Sequence, residues 1–396
     1  MNKNISTHLD KNKKIELGSF YTPEVIVDKI YEFIDDFLSE KNIEKSNIIY
    51  FDNSCGCGAF YKKDRNFVLA DIDEQAVNFM KNNFSIKNII CTNSIKDVSR
   101  KKFNIPEKSF LINIGNPPYN DITSEIKQGQ KGVFDCDPDI FDRDLGVTFI
   151  KSFNKLQSDL ICIIHPLSYL IKQANFNRLK NFSLNYKLIK GEIFSSELFN
   201  GTGKTKFPIV IALYQRGKGM DYDHIKSFNF SIFNSDKNFI LKNFLTTDGF
   251  IDKYPSKYIK NEISSLNLYY YTFRDINSLK RNRDFILEPN YNSISISLEN
   301  LYKYSYLYTF KKLFNPQNLW IYGNLSPLLD KSLEASKKDY IIFSILDSGL
   351  EKKLTIEQKH LIKNYYKISY KDYHKQSFLS DIKSKLLQNI SNLVII

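Results

Sequence analysis

The chain has 396 residues, 42% of them hydrophobic, enough length and apolar content for two domains with a core in each. It holds no run of about 18 uninterrupted apolar residues, and Met1-Asn2-Lys3-Asn4 lacks the apolar core of a signal peptide; a soluble, cytoplasmic protein with no membrane span is expected. The five cysteines, Cys55, Cys57, Cys91, Cys136 and Cys162, are odd in number and lie in the first half, with no second pair to complete a tetrahedral zinc site; all are read as reduced small residues, and no metal is expected.

The arm through Lys14 is polar. It leads into Leu17-Gly18-Ser19-Phe20-Tyr21-Thr22-Pro23 and then an amphipathic stretch from Glu24 to about Leu38, apolar at Val25, Ile26, Ile30, Phe33, Ile34 and Phe37. Thr22 as N-cap, Pro23 as first helical residue and Glu24 in the first turn predict a helix start there, whose free N–H groups can hold a carboxylate.

Residues 47–52 read as a strand ending in Asp52. The turn Asn53-Ser54-Cys55-Gly56-Cys57-Gly58-Ala59-Phe60 follows, its small residues letting backbone approach a ligand closely. It holds no G-x-G-x-x-G and no Gly-Lys-Ser/Thr, which disfavours a nicotinamide or a nucleoside triphosphate. A second strand over 66–70 ends in Asp71-Ile72-Asp73, a carboxylate placed to grip a ribose diol. A helical pattern runs from Glu74 to Asn82. A third strand over 89–92 ends in Asn93-Ser94, where an amide can read an adenine edge.

The fourth strand, Phe110-Leu111-Ile112-Asn113-Ile114-Gly115, runs into Asn116-Pro117-Pro118-Tyr119. Proline cannot continue a ladder, so the tetrad is expected as a rigid turn at the carboxyl edge of the sheet, where open α/β folds bind ligands. The side-chain oxygen of Asn116 and the carbonyl of Pro117 suit the two amine hydrogens of a planar base, and the Tyr119 ring suits its face. An ordinary Pro-rich turn that fixes a loop has the same composition. Strand, turn and helix recur with a polar residue at each strand tip, the pattern of a parallel, doubly wound sheet.

The order Phe20-Tyr21-Thr22-Pro23, then Asp52 with Cys55, Gly56, Gly58 and Phe60, then Asp71-Ile72-Asp73, Asn93-Ser94 and Asn116-Pro117-Pro118-Tyr119 resembles the gamma class of adenine-N6 DNA methyltransferases of restriction-modification systems. The likeness runs from about Leu17 to Gly219. It implies an α/β fold with a Rossmann-like seven-stranded class I methyltransferase sheet that binds S-adenosylmethionine, followed by a mixed α/β target-recognition domain. By position, Tyr21 and Thr22 would lie at the methionine moiety, and Asp52 with Ser54, Cys55, Gly56 and Gly58 beneath the cofactor. Asp71 would take the ribose hydroxyls, Ile72 the adenine ring, and Asn93 its amine. The tetrad, with Asn116 also next to the cofactor, would carry the transfer to a flipped adenine. The chain departs from the family pattern at Asn53, often Pro, and at Asn93, often Asp.

Beyond the tetrad, Asn120 to Asp144 reads as an acidic loop: a solvated surface loop, a lid that orders on DNA, or a metal site. Leu145 to Leu156 reads as a helix and Asp159 to His165 as the fifth strand, with His165 expected packed rather than catalytic. The stretch from Glu192 to Gly203 and the strand from Phe207 to Tyr214 resemble the family region that sets a second aromatic against the flipped base; Phe199 is the first choice, with Phe194 and Phe207 as alternatives.

Arg216-Gly217-Lys218-Gly219 is taken as the boundary between a catalytic domain, 1–219, and a DNA target-recognition domain, 220–396. The formal charge of +12 is uneven: residues 1–215 carry 29 basic and 26 acidic side chains (+3), residues 216–396 carry 27 and 18 (+9). A basic second half points to a polyanion, although a chain rich in Lys, Asn and Ile throughout gains charge from coding bias alone. Aromatic and basic residues interleave at 269–274, 280–283, 302–304 and 365–367, either as phosphate anchors or as core tyrosines beside solvated lysines; Arg281 and Arg283 are the preferred DNA contacts. The expected partner is double-stranded DNA, with a monomeric chain, no nuclease activity of its own and any cognate restriction endonuclease a separate protein. Methylation of a protein glutamine or of RNA adenine, or a non-catalytic specificity subunit, are the competing readings.

Overall fold

The apolar run Ile48–Asp52 (β1) is buried along its whole length, as a strand covered on both faces must be. It sits inside the sheet, pairing in parallel with β2 (Phe67–Asp71) on one side. The computed structural model describes residues 22–84, 86, 88–119, 134–199, 207–246, 266–271, 284–290, 293–313, 328–329, 335–369 and 376–391. The chain forms two compact units, Met1–Leu241 and Lys242–Ile396.

In the first unit β2 pairs in parallel with β3 (Ile89–Cys91), and β1 pairs on its other side with β4 (Phe110–Gly115), which pairs with β5 (Leu160–Pro166). β6 (Tyr186–Ser195) and β7 (Pro208–Arg216) are antiparallel to one another, and β7 lies between β5 and β6. The first seven strands thus run 3-2-1-4-5-7-6, the expected Rossmann-like α/β sheet, reversing direction between β1 and β4. The sheet itself has nine strands rather than seven. β8 (Phe230–Ile232) adds to β6 and β9 (Ser235–Phe239) closes the edge. Phe230 and Phe239 bury their rings there, so the sheet continues past the Gly-rich segment 216–219.

Helix α1 (Glu24–Glu40) buries Ile26, Val27, Ile30, Ile34, Phe37 and Leu38 in the same core as Ile112, Ile164 and Ile211 of the sheet, the stripe of a 3.6-residue period. Its start differs from the expected one. Pro23 holds the cap position with φ −58° and ψ 144°, and no side chain caps the helix. The Pro23 carbonyl accepts from the N–H groups of Ile26 and Val27. Thr22 therefore stands one residue too early to cap, and its hydroxyl is spent elsewhere. Helix α2 (Glu74–Phe84) follows β2, and α3 (Leu145–Lys155) precedes β5 with Asp144 as its cap, accepting from Gly146 N–H at 3.0 Å and Val147 N–H at 3.4 Å.

Buried Arg100, which carries no sequence signal, ties the entrances of β4 and β5 together. Its guanidinium donates to the carbonyls of Leu156, Gln157, Pro106, Glu107 and Ser109 at 3.1–3.2 Å and lies 3.6 Å from the Asp159 carboxylate.

The second unit holds a three-stranded antiparallel sheet, with Leu268–Tyr271 between Phe285–Ile286 and Ser293–Ile296, and helices Leu301–Leu313, Lys337–Asp347, Ile356–Tyr366 and Gln376–Ser391. Tyrosine builds much of its core. Tyr270, Tyr304, Tyr306, Tyr308 and Tyr340 are all buried, with Tyr270 packed 5.2 Å from Tyr304 and Tyr306 5.0 Å from Tyr340, centroid to centroid. Within the interleaved clusters Tyr270, Tyr304 and Tyr366 are thus interior, whereas Tyr365 is half exposed.

Arg100→Met, which strands several buried acceptors at once, is expected to destabilise the chain by about 3 kcal/mol, measured by urea denaturation of both proteins at one pH.

Candidate active site

The tips of β1, β2, β3 and β4 lie along one edge of the sheet. Asp52, at the tip of β1, is only 2% exposed. Burial, with a smaller contribution from neighbouring Asp71, pushes its carboxyl from 3.8 to about 8, against the pull of the Ser54 N–H, which donates to Oδ1 at 3.2 Å. Among the described residues no cation offsets this. Beside it the Nδ2 of Asn53 and the Oγ of Ser54 are buried without a hydrogen-bond partner among the described residues.

The turn that follows needs its glycines. Gly56 and Gly58 have φ of +50° and +78°, and a Cβ on Gly58 would stand 2.0 Å from Cε of Met80 in α2. This backbone is held to Asp71, whose Oδ2 accepts from Gly56 N–H at 2.7 Å while Oδ1 accepts from Asp73 N–H at 2.9 Å. The Ile72 N–H is also directed at this carboxylate, which leaves room for one further donor. Burial raises the Asp71 carboxyl above its ordinary value. Next to it Ile72 is 65% exposed, an apolar side chain held in water at a strand tip.

Asn93 makes one bond at each end of its amide: its Nδ2 donates to the Asp135 carbonyl at 2.7 Å, and its Oδ1 accepts from Ile95 N–H at 3.1 Å, leaving one N–H and one lone pair. A further polar atom at this tip is the buried Oγ of Ser94, which has no partner among the described residues. Sequence reasoning singled out Asn93 and passed over its neighbour.

At the tip of β4 the tetrad is joined to the segment before α1. Asn116 donates from Nδ2 to Thr22 Oγ1 at 3.3 Å, and its Oδ1 accepts from the Tyr119 hydroxyl at 2.8 Å. Burial pushes the Tyr119 phenol well above its usual range, so it remains a donor. A second layer supports it. A Cβ on Gly146 would stand 2.6 Å from the Tyr169 hydroxyl and 3.1 Å from Tyr119 Cβ, so the bare start of α3 is what lets both rings in. Tyr169 donates to Asp144, the cap of that helix, and stacks on His165 at 5.5 Å. His165 is 1% exposed and bonded through Nε2 to the Tyr214 hydroxyl at 2.6 Å. Burial lowers it to about 4, so it is a packed neutral ring. A glycine one residue inside a capped helix is the signal that would have found this layer.

The acidic run after the tetrad is occupied where it is described. Asp135 pairs with Lys96, Asp137 and Asp139 with Lys155, and Asp142 with Arg178 and Lys151. Asp137 also accepts from the N–H groups of Asp97 and Val98. Among the described residues no group of His, Cys, Asp and Glu is placed to hold a metal.

Phe194 and Phe199 are both 2% exposed and pack with centroids 5.8 Å apart in the same core as Ile209 and Ile211. Phe199 is therefore a core ring here and not an exposed stacking surface, and of the three candidates only Phe207 is half-buried. Tyr21, Arg281 and Arg283 lie outside the described residues. No described helix is long and apolar enough to cross a membrane.

No family model matches the chain, and no curated protein does. Among solved structures it is similar to a protein assigned as a modification subunit of a type I restriction enzyme from Vibrio vulnificus YJ016, at 15% identity over 56% of this chain and 49% of that one, TM-score 0.39. It is also similar to the type IIL restriction-modification enzyme MmeI in complex with DNA, at 13% identity over 59% and 41% of the two chains, TM-score 0.39. A third is a protein assigned as a class I S-adenosylmethionine-dependent methyltransferase from Listeria monocytogenes, at 13% identity over 48% and 60%, TM-score 0.34. The matched region spans about half the length of the Vibrio protein.

Because the folded carboxyl of Asp52 holds its proton to about 8 while the unfolded one loses it near 3.8, the native state binds more protons across that window and stability falls as pH rises through it. Asp52→Asn is expected to flatten this fall, so that the two proteins diverge most in melting temperature above pH 8.

Proposed function

We propose that the chain is a gamma-class DNA methyltransferase that transfers a methyl group from S-adenosylmethionine to the N6 amine of a flipped adenine in double-stranded DNA, as the modification part of a type II restriction-modification system. The observation that carries this reading is the Asn116-Pro117-Pro118-Tyr119 corner at the strand-order reversal. Its acceptor amide and aromatic ring stand on the same edge as Asp52 and Asp71.

The residues present fit the cofactor. A nucleoside with a charged amino-acid tail offers donors and acceptors to the orphaned Asn53, Ser54 and Ser94 atoms. One of its ribose hydroxyls suits the remaining acceptor capacity of Asp71, its adenine the exposed face of Ile72, and its cationic tail the buried Asp52, which no cation among the described residues meets. Cys55, Gly56 and Gly58 keep the backbone close enough for this, and Thr22 borders the same space next to Asn116. Once bound, the cofactor supplies an electrophilic methyl group.

The chain's own part is positioning. An adenine amine is a weak nucleophile because its lone pair is delocalised into the ring. Accepting its two hydrogens at Asn116 Oδ1 and the Pro117 carbonyl favours a pyramidal nitrogen with the lone pair free to attack. The rigid Pro117-Pro118 turn fixes both acceptors in advance. Effective molarities of roughly 10⁵ to 10⁸ M show how much rate such positioning can supply. Flipping the base costs on the order of a few kcal/mol, which stacking on Tyr119 offsets by about 1 to 3 kcal/mol. The second unit, from Lys242 onward, serves as the target-recognition part, with Arg281 and Arg283 as phosphate or guanine contacts.

Full-length protein given methyl-labelled S-adenosylmethionine and unmethylated mixed-sequence duplex DNA is expected to place label on adenine; label on peptide alone, or none, overturns the reading. Asn116→Ala should lower turnover by roughly 10²-fold or more with DNA binding retained in a filter assay. Asp71→Ala should weaken cofactor binding by roughly 10-fold, and calorimetry returning the wild-type dissociation constant would remove Asp71 from the ribose site.

A further inference from the structure

The Asn116 side chain is held at both ends. One of its two N–H groups is given to the Thr22 hydroxyl at 3.3 Å and one lone pair of its oxygen to the Tyr119 hydroxyl at 2.8 Å. Thr22 is 2% exposed and, with Pro23 in the cap position, has no helix end to serve. A side-chain amide is nearly symmetric in shape but opposite in chemistry at its two ends, so an Asn free to turn presents a donor as readily as an acceptor. We propose that Thr22 and the Tyr119 hydroxyl are positioning residues that clamp Asn116 so that one lone pair of Oδ1, and no N–H, faces the ligand. This rests on the methyltransferase reading and reassigns Thr22 from the cofactor to Asn116. It also gives Tyr119 a second task besides stacking.

Two features of the surroundings set the direction of the clamp. Tyr119 cannot retreat, since α3 meets its Cβ at Gly146 and Tyr169 lies beside it. A phenol is also a better donor than acceptor, so its partner is the amide oxygen, which turns Nδ2 toward Thr22. The site so formed selects ligands with an N–H donor. One that offers only a carbonyl or a ring nitrogen at this point finds no partner and loses a hydrogen bond.

The test compares Thr22→Val, Thr22→Ser and Tyr119→Phe in the full chain. Thr22→Val keeps the shape and removes the acceptor, and Tyr119→Phe keeps the ring and removes the donor. Each is expected to lower kcat roughly 3- to 10-fold with KM for S-adenosylmethionine within about twofold of wild type, and Thr22→Ser should recover most of the loss. Unchanged kcat in both deletions overturns the clamp; so does a raised cofactor KM at constant kcat for Thr22→Val, which returns Thr22 to the cofactor. A second measurement needs no turnover. In protein labelled with ¹⁵N at asparagine, the Asn116 side-chain amide, assigned by its loss in Asn116→Ala, should resonate away from solvent-exposed amides and move toward them in Thr22→Val. A chain that leaves DNA unlabelled yet shows this shift overturns the methyltransferase reading and keeps the clamp, while an amide that does not respond to Thr22 overturns the clamp whatever the activity.

Discussion

The parallel pairing of β1 with β2 on one side and β4 on the other is the constraint on which the rest depends. Chain direction through the sheet reverses between these strands, so the segments leaving β1 and β4 diverge and open a crevice at their carboxyl ends. Only there do the Asp52 carboxylate, the glycine turn and the Asn-Pro-Pro-Tyr corner become neighbours, although more than sixty positions separate the first from the last. Proline at the end of β4 keeps that corner from being absorbed into further pairing.

Within the first unit, the described residues leave polar atoms unsatisfied along this edge and satisfy them at the opposite one. Arg100 answers carbonyl after carbonyl at the opposite end of the strands, and the acidic residues of 135–144 find lysines, an arginine or a helix end. Asn53, Ser54 and Ser94, in contrast, bury atoms without partners among the described residues, and Asp52 is held in a medium that disfavours its charge. A folded chain tolerates such costs where a ligand will answer them. Their gathering at the tips of β1 and β3, on either side of β2, marks the site independently of any motif.

Several residues acquire a different meaning from their neighbours than from their sequence. Thr22 reads as a helix cap because Thr-Pro-Glu is a good cap sequence, yet the extended Pro23 takes the cap position and frees the hydroxyl for Asn116. Asn93 reads as a base-reading amide, and its orientation is set by the Asp135 carbonyl and the Ile95 N–H. Phe199 reads as a stacking ring and packs in the core. The acidic run leaves several possibilities open until Lys96, Lys151, Lys155 and Arg178 are seen to meet it. In each case the deciding partner lies well away in sequence or in another element.

What the sequence alone determined is what depends on neighbours along the chain. The apolar runs that become β1 to β5, the amphipathic stripe of α1, the glycines that permit a left-handed turn after β1 and the prolines that stop β4 are all set by residues a few positions apart, where periodicity and backbone sterics act. The tertiary structure alone decided what depends on distant partners: the two extra strands at the sheet edge, the gap at Gly146 that admits Tyr119 and Tyr169, the burial that raises the Asp52 carboxyl, and the pairing of Thr22 with Asn116. Burial and hydrogen-bond partnership are properties of the packed chain, and no local pattern specifies which remote side chain will supply them.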